Sequence, residues 1–397
     1  MEKKNRGRYG EILSTSLKLG LTSFGGPAAH IGYFRDEYVK KKKWLDDRAY
    51  ADLVALCQFL PGPASSQVGI GIGLMRGGLT GAFLSWFGFT MPSVLLLVLF
   101  AWLVGGGSGF DAGWIRGLKI VAVPIVIHAL IGMGRNLTPD WPRLLIAAAA
   151  AAGVLLIPTA AGQIGLIVLA GAAGYVIYRN RQPAGAGDGE TPIAVSRKTG
   201  IAAWILFVLL LVLLPAVRAA AGHLLAVILD VFYRVGSIVF GGGHVVLPML
   251  EREVVPAGYM GAEAFIAGYG AAQAVPGPLF TLSAYIGMTM DGIPGALVAV
   301  GAMFLPSFLL VVGMLPFWAV LRNRRWLKAA LSGVNAAVVG ILFAALIDPV
   351  IPSSIFTFWD AAAAAAGFAL LQFAKQPPWL VVLVSGVLGA AIHILQG

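Results

Sequence analysis

Two glycine clusters in this chain have the composition of backbone anion sites. They consist of Phe24, Gly25, Gly26 and Pro27, and of Phe240, Gly241, Gly242 and Gly243. Consecutive glycines allow an unwound backbone, and proline cannot donate a helical hydrogen bond. We therefore expect a broken helix at each cluster, whose free N–H groups and helix-end dipole can hold an anion. The alternative is a kink or a close helix contact, which glycines also provide in membrane proteins.

A Pro-Gly-Pro box follows each glycine cluster, with amide and hydroxyl side chains around it. The residues are Gln58, Pro61, Gly62, Pro63, Ser65, Ser66 and Gln67 in the first copy, and Gln273, Pro276, Gly277, Pro278, Thr281 and Ser283 in the second. Two prolines around one glycine cannot continue a regular helix, so a second break is expected in each copy. The side chains are neutral donors suited to oxyanion oxygens in a partly dehydrated pocket. Each hydroxyl could instead bond to its own helix.

Four charged residues occupy matching positions around the two glycine clusters. Lys18 and Arg234 precede the clusters, whereas Glu37 and Glu253 follow them. The two cations could neutralise a divalent anion or extend to the lipid headgroups. The two carboxylates could carry coupling protons, or they could form salt bridges in charge-rich loops.

The five histidines show no spacing typical of a metal site. His30 and His244 follow the glycine clusters at unequal offsets and could titrate near neutral pH, or form ordinary hydrogen bonds. His128, His223 and His393 are scattered. The chain also lacks a nucleophile elbow, a nucleotide phosphate loop and an HExxH motif. We therefore expect no metal, no cofactor and no enzymatic activity.

The composition indicates that these motifs lie on membrane helices. Hydrophobic residues make up 58% of the chain and charged residues 12%, and the mean hydropathy is +0.85. Soluble domains carry about 25% charged residues. Apolar runs such as 81–104, 144–178, 201–217 and 295–320 are long enough for spans of about 20 residues. An all-α polytopic membrane protein is predicted. The net charge of +10 lies in short clusters between spans, which favours cytoplasmic loops over nucleic-acid binding.

The repeated motifs divide the chain into related halves. We expect an N-terminal repeat over 1–178, a basic linker with one extra span over 179–224, and a C-terminal repeat over 225–397. Six hydrophobic segments in each repeat and one extra helix between them would place the repeats in inverted orientation. With a cytoplasmic N-terminus, Lys40 to Lys43 would then lie outside if the first segment spans. That segment is instead expected to be re-entrant if these lysines stay inside.

The chain resembles the chromate ion transporter family in its long, two-domain form. The resemblance rests on LGLTSFGGPAAHI, CQFLPGPASSQVGIGIG, VFGGGHVVLPMLEREVV and GAAQAVPGPLF, and it covers nearly the whole chain. It implies a plasma-membrane protein that exports chromate, driven by the proton-motive force, confers chromate resistance and has sulfate as a competitor. It also implies that the glycine clusters and the Pro-Gly-Pro boxes are the functional residues.

Three other interpretations use the same residues. Sulfate or another oxyanion could be the substrate, and a passive anion channel would need no coupling group. A membrane enzyme has the least support, because no catalytic constellation is present. For a transporter, the oxyanion would bind between the halves near the middle of the bilayer, and rocking of one half against the other would expose it alternately. A homodimer is compatible with the sequence.

Overall fold

The regular secondary structure in the described part of the chain is helical. A computed structural model describes residues 2–24, 26–105, 112–180, 195–240, 243–318 and 324–396, and these ranges contain no strand. Gly25, Gly241 and Gly242 of the glycine clusters, and most of the linker after residue 180, lie outside the described residues.

Within its described residues, the first half contains seven helices. They are α1 Glu2–Thr22, α2 Gly26–Phe34 with a π-helical extension Arg35–Lys41, α3 Asp47–Phe59, α4 Ala64–Gly105, α5 Ala112–Leu137, α6 Trp141–Leu156 and α7 Ala160–Tyr178. The sequence predicts six hydrophobic segments here. The structure has one helix more because the first segment is divided at the glycine cluster.

The second half repeats this order after one linking helix. The elements are α8 Arg197–Ala221, α9 Leu224–Ile238, α10 Val246–Val254, α11 Ala262–Ala274, α12 Leu282–Met314, α13 Arg325–Ala345, α14 Phe358–Gln372 and α15 Pro378–Gln396. The extra helix α8 packs against α9 and α12 and exposes Ile205, Val208 and Val212 on its other side. It has no counterpart in the first half.

The starts of several helices are encoded locally. The side chains of Asp46, Asp140, Thr159 and Ser196 each accept a hydrogen bond from a backbone N–H in the first turn of α3, α6, α7 and α8. Such caps satisfy donors that have no partner within the helix.

The two longest helices double back on themselves. In α4, a Cβ atom on Gly73 would collide with the carbonyl oxygen of Gly81, whereas residues eight apart in a straight helix are about 12 Å apart. The reversal lies at Gly77 and Gly78, and the φ of Gly78 is 63°. In α12 the corresponding reversal includes Gly292, whose φ is 61°. Each helix therefore consists of a short arm (64–76, 282–290) and a long arm (79–105, 293–314).

The first two helices of each half also form an antiparallel pair. The Lys18 ammonium lies 3.0 Å from Glu37, and the Lys42 ammonium lies 3.2 Å from Glu11. Each of these contacts joins α1, before the break, to the segment that follows α2, after the break. Consequently, Lys42 lies near the N-terminal part of α1.

Six helical segments are long and apolar enough to cross a membrane. Within the described residues they are Ala64–Gly105, Gly113–Leu137, Ala161–Tyr178, Arg197–Ala221, Leu279–Phe317 and Arg325–Val350. Large apolar side chains such as Leu95, Trp102 and Val176 remain exposed on their outer faces. This surface suits lipid, because backbone polar groups are satisfied within the helices and the outward side chains are apolar. The protein is an all-α, multi-pass membrane protein.

Candidate functional site

The four predicted breaks meet crosswise between the halves. The backbone N–H of Gly62, in the first Pro-Gly-Pro box, donates to the carbonyl of Val239 at the end of α9 (2.6 Å). The N–H of Gly277, in the second box, donates to the carbonyl of Ser23 at the end of α1 (2.9 Å). Each box thus binds the chain just before the glycine cluster of the opposite half. We call this arrangement the crossed junction.

Glycine is required at the centre of both boxes for two reasons. The φ values of Gly62 and Gly277 are 113° and 99°, which side-chain-bearing residues rarely adopt. In addition, a Cβ atom on Gly62 would lie 2.6 Å from the Ser307 hydroxyl, and one on Gly277 would collide with the Ser93 hydroxyl. The boxes therefore combine an unusual backbone with very close packing.

Ser93 and Ser307 also belong to the crossed junction, and each directly follows a proline, Pro92 or Pro306, in its half of the sequence. Ser93, on the long arm of α4, donates a hydrogen bond to the carbonyl of Pro276 in the opposite half. Ser307, on the long arm of α12, lies against Gly62 as Ser93 lies against Gly277. The available signal was a hydroxyl following proline within an apolar span, in both copies.

The two sides of the junction differ in their hydrogen bonds. Pro276 accepts from Ser93, whereas Pro61 accepts from its own neighbour Gln67 through Nε2 at 2.6 Å. The hydroxyl of Ser307 is buried and has no partner among the described residues. The halves are therefore related in sequence but do not share one hydrogen-bonding arrangement.

Several polar side-chain atoms remain unpaired close to the breaks. Within the described chain, the buried atoms without a partner include Ser23 Oγ, Ser66 Oγ, Gln67 Oε1, Gln273 Nε2, Ser283 Oγ and Ser307 Oγ. A buried polar atom without a partner costs about 1–3 kcal/mol. A ligand or water that reached these groups would recover part of that cost. Thr281 instead bonds to the carbonyl of Pro278 (2.7 Å).

A cavity of about 170 Å³ lies beside the second Pro-Gly-Pro box and includes predicted residues from both halves. Its lining comprises Gly26, Ile125, His128, Ala129, His244, Gln273, Val275, Gly277, Leu279, Leu371 and Pro378. The sequence predicted Gly26, His244, Gln273 and Gly277 as site residues, and the fold brings these four together. His128 is a further member, which its sequence position did not single out.

The predicted charged residues pair with one another. The Glu37 carboxylate forms salt bridges with the ammonium groups of Lys18 (3.0 Å) and Lys41 (3.3 Å). The Arg234 guanidinium forms salt bridges with Glu253 and Asp230. Burial alone would raise the pKa of Glu37, but hydrogen bonds from Lys18 and Lys41 lower it below the ordinary glutamate value. Glu37 is therefore a carboxylate at neutral pH.

The remaining predicted residues occupy varied positions. Both ring nitrogens of His30 are engaged, with the Ser65 hydroxyl at 3.3 Å and the Ser23 carbonyl at 3.1 Å. The ring of Phe24 packs against Trp379, and Gln58 is exposed on α3. Pro27 lies in the first turn of α2, Pro63 and Pro278 are buried, Phe240 is half-buried, and Gly243 begins the turn before α10. No cluster of three or more metal-binding side chains occurs among the residues described.

These features define a class of protein. The chain is a polytopic helical membrane protein of two related halves, with paired backbone breaks that meet beside a small cavity. The sequence profile of the chromate transporter family matches residues 10–175 and 226–390. The chain belongs to this family, and each half carries one copy of its characteristic region.

Individual relatives extend over most of the chain. A chromate transport protein of Pseudomonas aeruginosa is 28% identical, with 98% of this chain and 94% of the relative covered. An uncharacterised transporter of Methanocaldococcus jannaschii is 27% identical, covering 99% and 96%. A chromate transport protein of Cupriavidus metallidurans is 26% identical, covering 85% and 81%. No solved structure matches the chain.

Proposed function

We propose that this protein exports chromate from the cytoplasm across the plasma membrane and that the proton-motive force drives the export. Family membership supports chromate transport, and relatives that cover most of the chain are named chromate transport proteins. The crossed junction is the structural observation that carries the proposal. It places neutral side-chain donors without other partners in the described chain at an interface between the halves, where alternating access is expected.

The oxyanion binds in the cavity beside the second Pro-Gly-Pro box. Gln273 offers an amide Nε2 that has no other partner in the described chain, and Gly26 and Gly277 let the backbone approach without side chains. The hydroxyls of Ser66 and Ser283 act as donors when the junction rearranges, and Gln67 joins them only if its Nε2 leaves the Pro61 carbonyl. The salt-bridged Lys18 and Arg234 fix the α1–α2 and α9–α10 pairs rather than contact the anion.

Both halves carry re-entrant hairpins, and they enter the membrane from opposite sides. The long arm of α4 starts at its reversal, passes the junction at Ser93 and brings Phe100 within 5.6 Å of Tyr285, ring to ring. The long arm of α12 passes Ser307 and brings Trp318 to Asp52 near the start of α3 (3.3 Å). These contacts support reversals of α4 and α12 at opposite faces of the membrane.

The re-entrant arrangement also accounts for the four lysines at residues 40–43. Glu11 on α1 contacts both Lys42 and Arg76, at 3.2 and 3.1 Å, so the lysine segment and the reversal of α4 share one end of the first half. We assign this end and the N-terminus to the cytoplasm, in agreement with the positive-inside rule. The divisions 1–178, 179–224 and 225–397 are retained as the domain boundaries.

Uptake of radiolabelled chromate into inverted membrane vesicles tests the function. We expect accumulation that depends on an imposed proton-motive force and that excess sulfate reduces. Gly277→Ala should abolish it, because the new Cβ would displace Ser93. Gly301→Ala is the matched control, since Gly301 lies on α12 with no atom near its Cβ position.

The outcomes separate the alternatives. Uptake that only equilibrates, whatever the gradient, would identify a passive anion channel. Accumulation of sulfate without chromate would identify a different oxyanion as the substrate. Equal activity of the Gly277 and Gly301 variants would show that the junction is not the site.

A further inference from the structure

The cavity is unusual for an anion site because it holds no permanent positive charge. None of its lining residues is lysine, arginine, aspartate or glutamate, and its titratable side chains are His128 and His244. Lys18 and Arg234, which the sequence suggested as cations that could neutralise the anion, form salt bridges with carboxylates instead. Neutral donors alone compensate poorly for a buried dianion, because moving charge out of water is costly without a countercharge.

Both histidines are anchored through one ring nitrogen and leave the other unused. Nδ1 of His244 lies 2.7 Å from the hydroxyl of Tyr269 on α11, and Nδ1 of His128 lies 3.0 Å from the amide oxygen of Gln372 on α14. In the described chain, neither Nε2 atom has a hydrogen-bonding partner. In the tautomer whose Nδ1–H donates to the anchor, each imidazole can take a proton at Nε2 and present it as a donor without breaking that hydrogen bond.

The elements packed against the two histidines carry several charged residues. On α10, which packs against the turn that holds His244, the Glu251 carboxylate lies 3.8 Å from the Arg252 guanidinium. On the helices packed against α5, Asp360 of α14 is paired with Arg116 and Glu263 of α11 with Lys119. Arg325 and Lys328 lie in the first turn of α13, and Asp348 lies in the turn that follows it. Tyr269 faces His244 directly. The described lining of the cavity contains no carboxylate. The negative charge that favours a protonated imidazole therefore comes from the incoming anion.

We propose that the cavity binds a tetrahedral dianion together with one proton, which resides on His128 or His244. The proton comes from solvent and bonds to Nε2, and the imidazolium then donates to an oxygen of the anion. By linkage, the anion raises the proton affinity of the histidines and the proton raises the affinity for the anion by the same factor. The loaded site carries a net charge of −1.

This inference rests on the proposed function and makes its energetics more specific. A loaded site with net negative charge is driven outward by the electrical part of the proton-motive force, since the cytoplasm is negative. The accompanying proton moves outward with the anion instead of being exchanged for it, so the electrical part of the proton-motive force drives export and the pH gradient opposes it. Glu37 and Glu253 are then structural partners of Lys18 and Arg234 and carry no transported proton.

Chromate binding to the purified full-length protein tests the inference. Equilibrium dialysis with radiolabelled chromate measures the affinity, and an indicator dye in weakly buffered solution measures proton uptake at about pH 8, where histidine is ordinarily neutral. We expect close to one proton taken up per bound anion. Affinity should fall about tenfold for each unit of rising pH.

The double variant His128→Gln with His244→Gln keeps neutral donors but cannot hold the proton. It should bind at least tenfold more weakly, with no proton uptake and no dependence on pH. His223→Asn is the control, because His223 is exposed at the start of α9 and does not line the cavity.

Proton uptake by the wild type requires no variant, so a misfolded double variant leaves the test intact. Binding by the wild type without proton uptake would overturn the inference and leave the proposed function standing. Full proton uptake in a correctly folded double variant would also overturn it, since the proton would then reside elsewhere. No chromate binding at all by the wild type would overturn both proposals.

Discussion

At the scale of single residues, the crossed junction depends on which hydroxyl or amide reaches each proline carbonyl. Ser93 donates to the Pro276 carbonyl, whereas Gln67 donates to the Pro61 carbonyl. The Ser307 hydroxyl therefore has no partner among the described residues. Two serines at equivalent repeat positions therefore have different energetic roles.

Alanine substitution should separate these two serines. Ser93→Ala leaves the buried Pro276 carbonyl without its donor and should lower the free energy of unfolding by about 1–3 kcal/mol. Ser307→Ala removes a buried hydroxyl that has no partner among the described residues, so it should leave the free energy of unfolding unchanged or raise it, because the cost of about 1–3 kcal/mol for the unpaired group is relieved. Denaturant unfolding in detergent measures both. Equal losses, or a larger loss for Ser307→Ala, would contradict the hydrogen-bond assignment.

The two matched salt bridges should also differ in strength. The Arg234 side chain is 22% exposed and binds Glu253, which is 10% exposed, whereas the Lys18 side chain is 55% exposed. Breaking a buried pair costs about 3–5 kcal/mol, but an exposed pair contributes about 0–1 kcal/mol. Arg234→Met should therefore destabilise strongly and Lys18→Met little, because Lys41 still pairs with Glu37. Similar unfolding free energies for both variants would be inconsistent with this geometry.

At the scale of elements, the helical reversals set the positions of the short and long arms. Gly78 has φ 63° and ψ −157°, and Gly292 has φ 61° and ψ −152°. This region of backbone space is accessible essentially to glycine alone. The reversals bring Gly73 against Gly81, and Gly287 against Gly295, so each short arm lies directly on its long arm.

Substitutions at the reversal should report backbone strain rather than crowding. Gly78→Ala and Gly78→Asn should each destabilise by about 1–3 kcal/mol, although no atom lies within 4 Å of the Cβ position. Asparagine should not rescue, because its tolerance is for the left-handed helical region and not for this one. Gly32→Ala, in helical backbone with equally open space, is the control. Thermal unfolding provides the measurement, and an Asn variant as stable as the wild type would refute the strain argument.

At the scale of the whole molecule, the halves interlock through their breaks instead of packing as separate bundles. The backbone N–H of the glycine in each Pro-Gly-Pro box donates to a carbonyl of the other half, so neither half alone provides the acceptor for this group. This arrangement links the cavity to the relative position of the two halves, as alternating access requires.

Membrane sidedness of engineered cysteines should reveal the orientation of the halves. Cys57 is fully buried, which makes the native thiol a poor target for labelling. In a Cys57→Ser background, Lys43→Cys and Leu79→Cys should react with an impermeant thiol reagent from the cytoplasmic face. Asp291→Cys, at the reversal of α12, should react from the opposite face. Labelling of all three positions from one side would rule out the inverted arrangement.

The sequence by itself determined the membrane class, the repeat and the breaks at the glycine clusters and Pro-Gly-Pro boxes, but not the reversals at Gly78 and Gly292. These properties are local. Long apolar stretches favour a lipid environment over water. The glycines and prolines at 24–27, 61–63 and 276–278 interrupt helical hydrogen bonding in any tertiary context. The sequence also paired Lys18 with Arg234 and Glu37 with Glu253 as equivalents. It did not reveal that each cation binds its own carboxylate, since that contact depends on how the broken segments reverse.

Only the tertiary structure decided which break meets which, and which side chains line the cavity. The bond between Gly277 and Ser23, and the presence of His128 beside His244, join residues from opposite halves. Helical periodicity relates neighbours a few residues apart, so it holds no information about such contacts. They arise because each half leaves unpaired backbone at its breaks, and burial within the membrane requires a partner that the other half supplies.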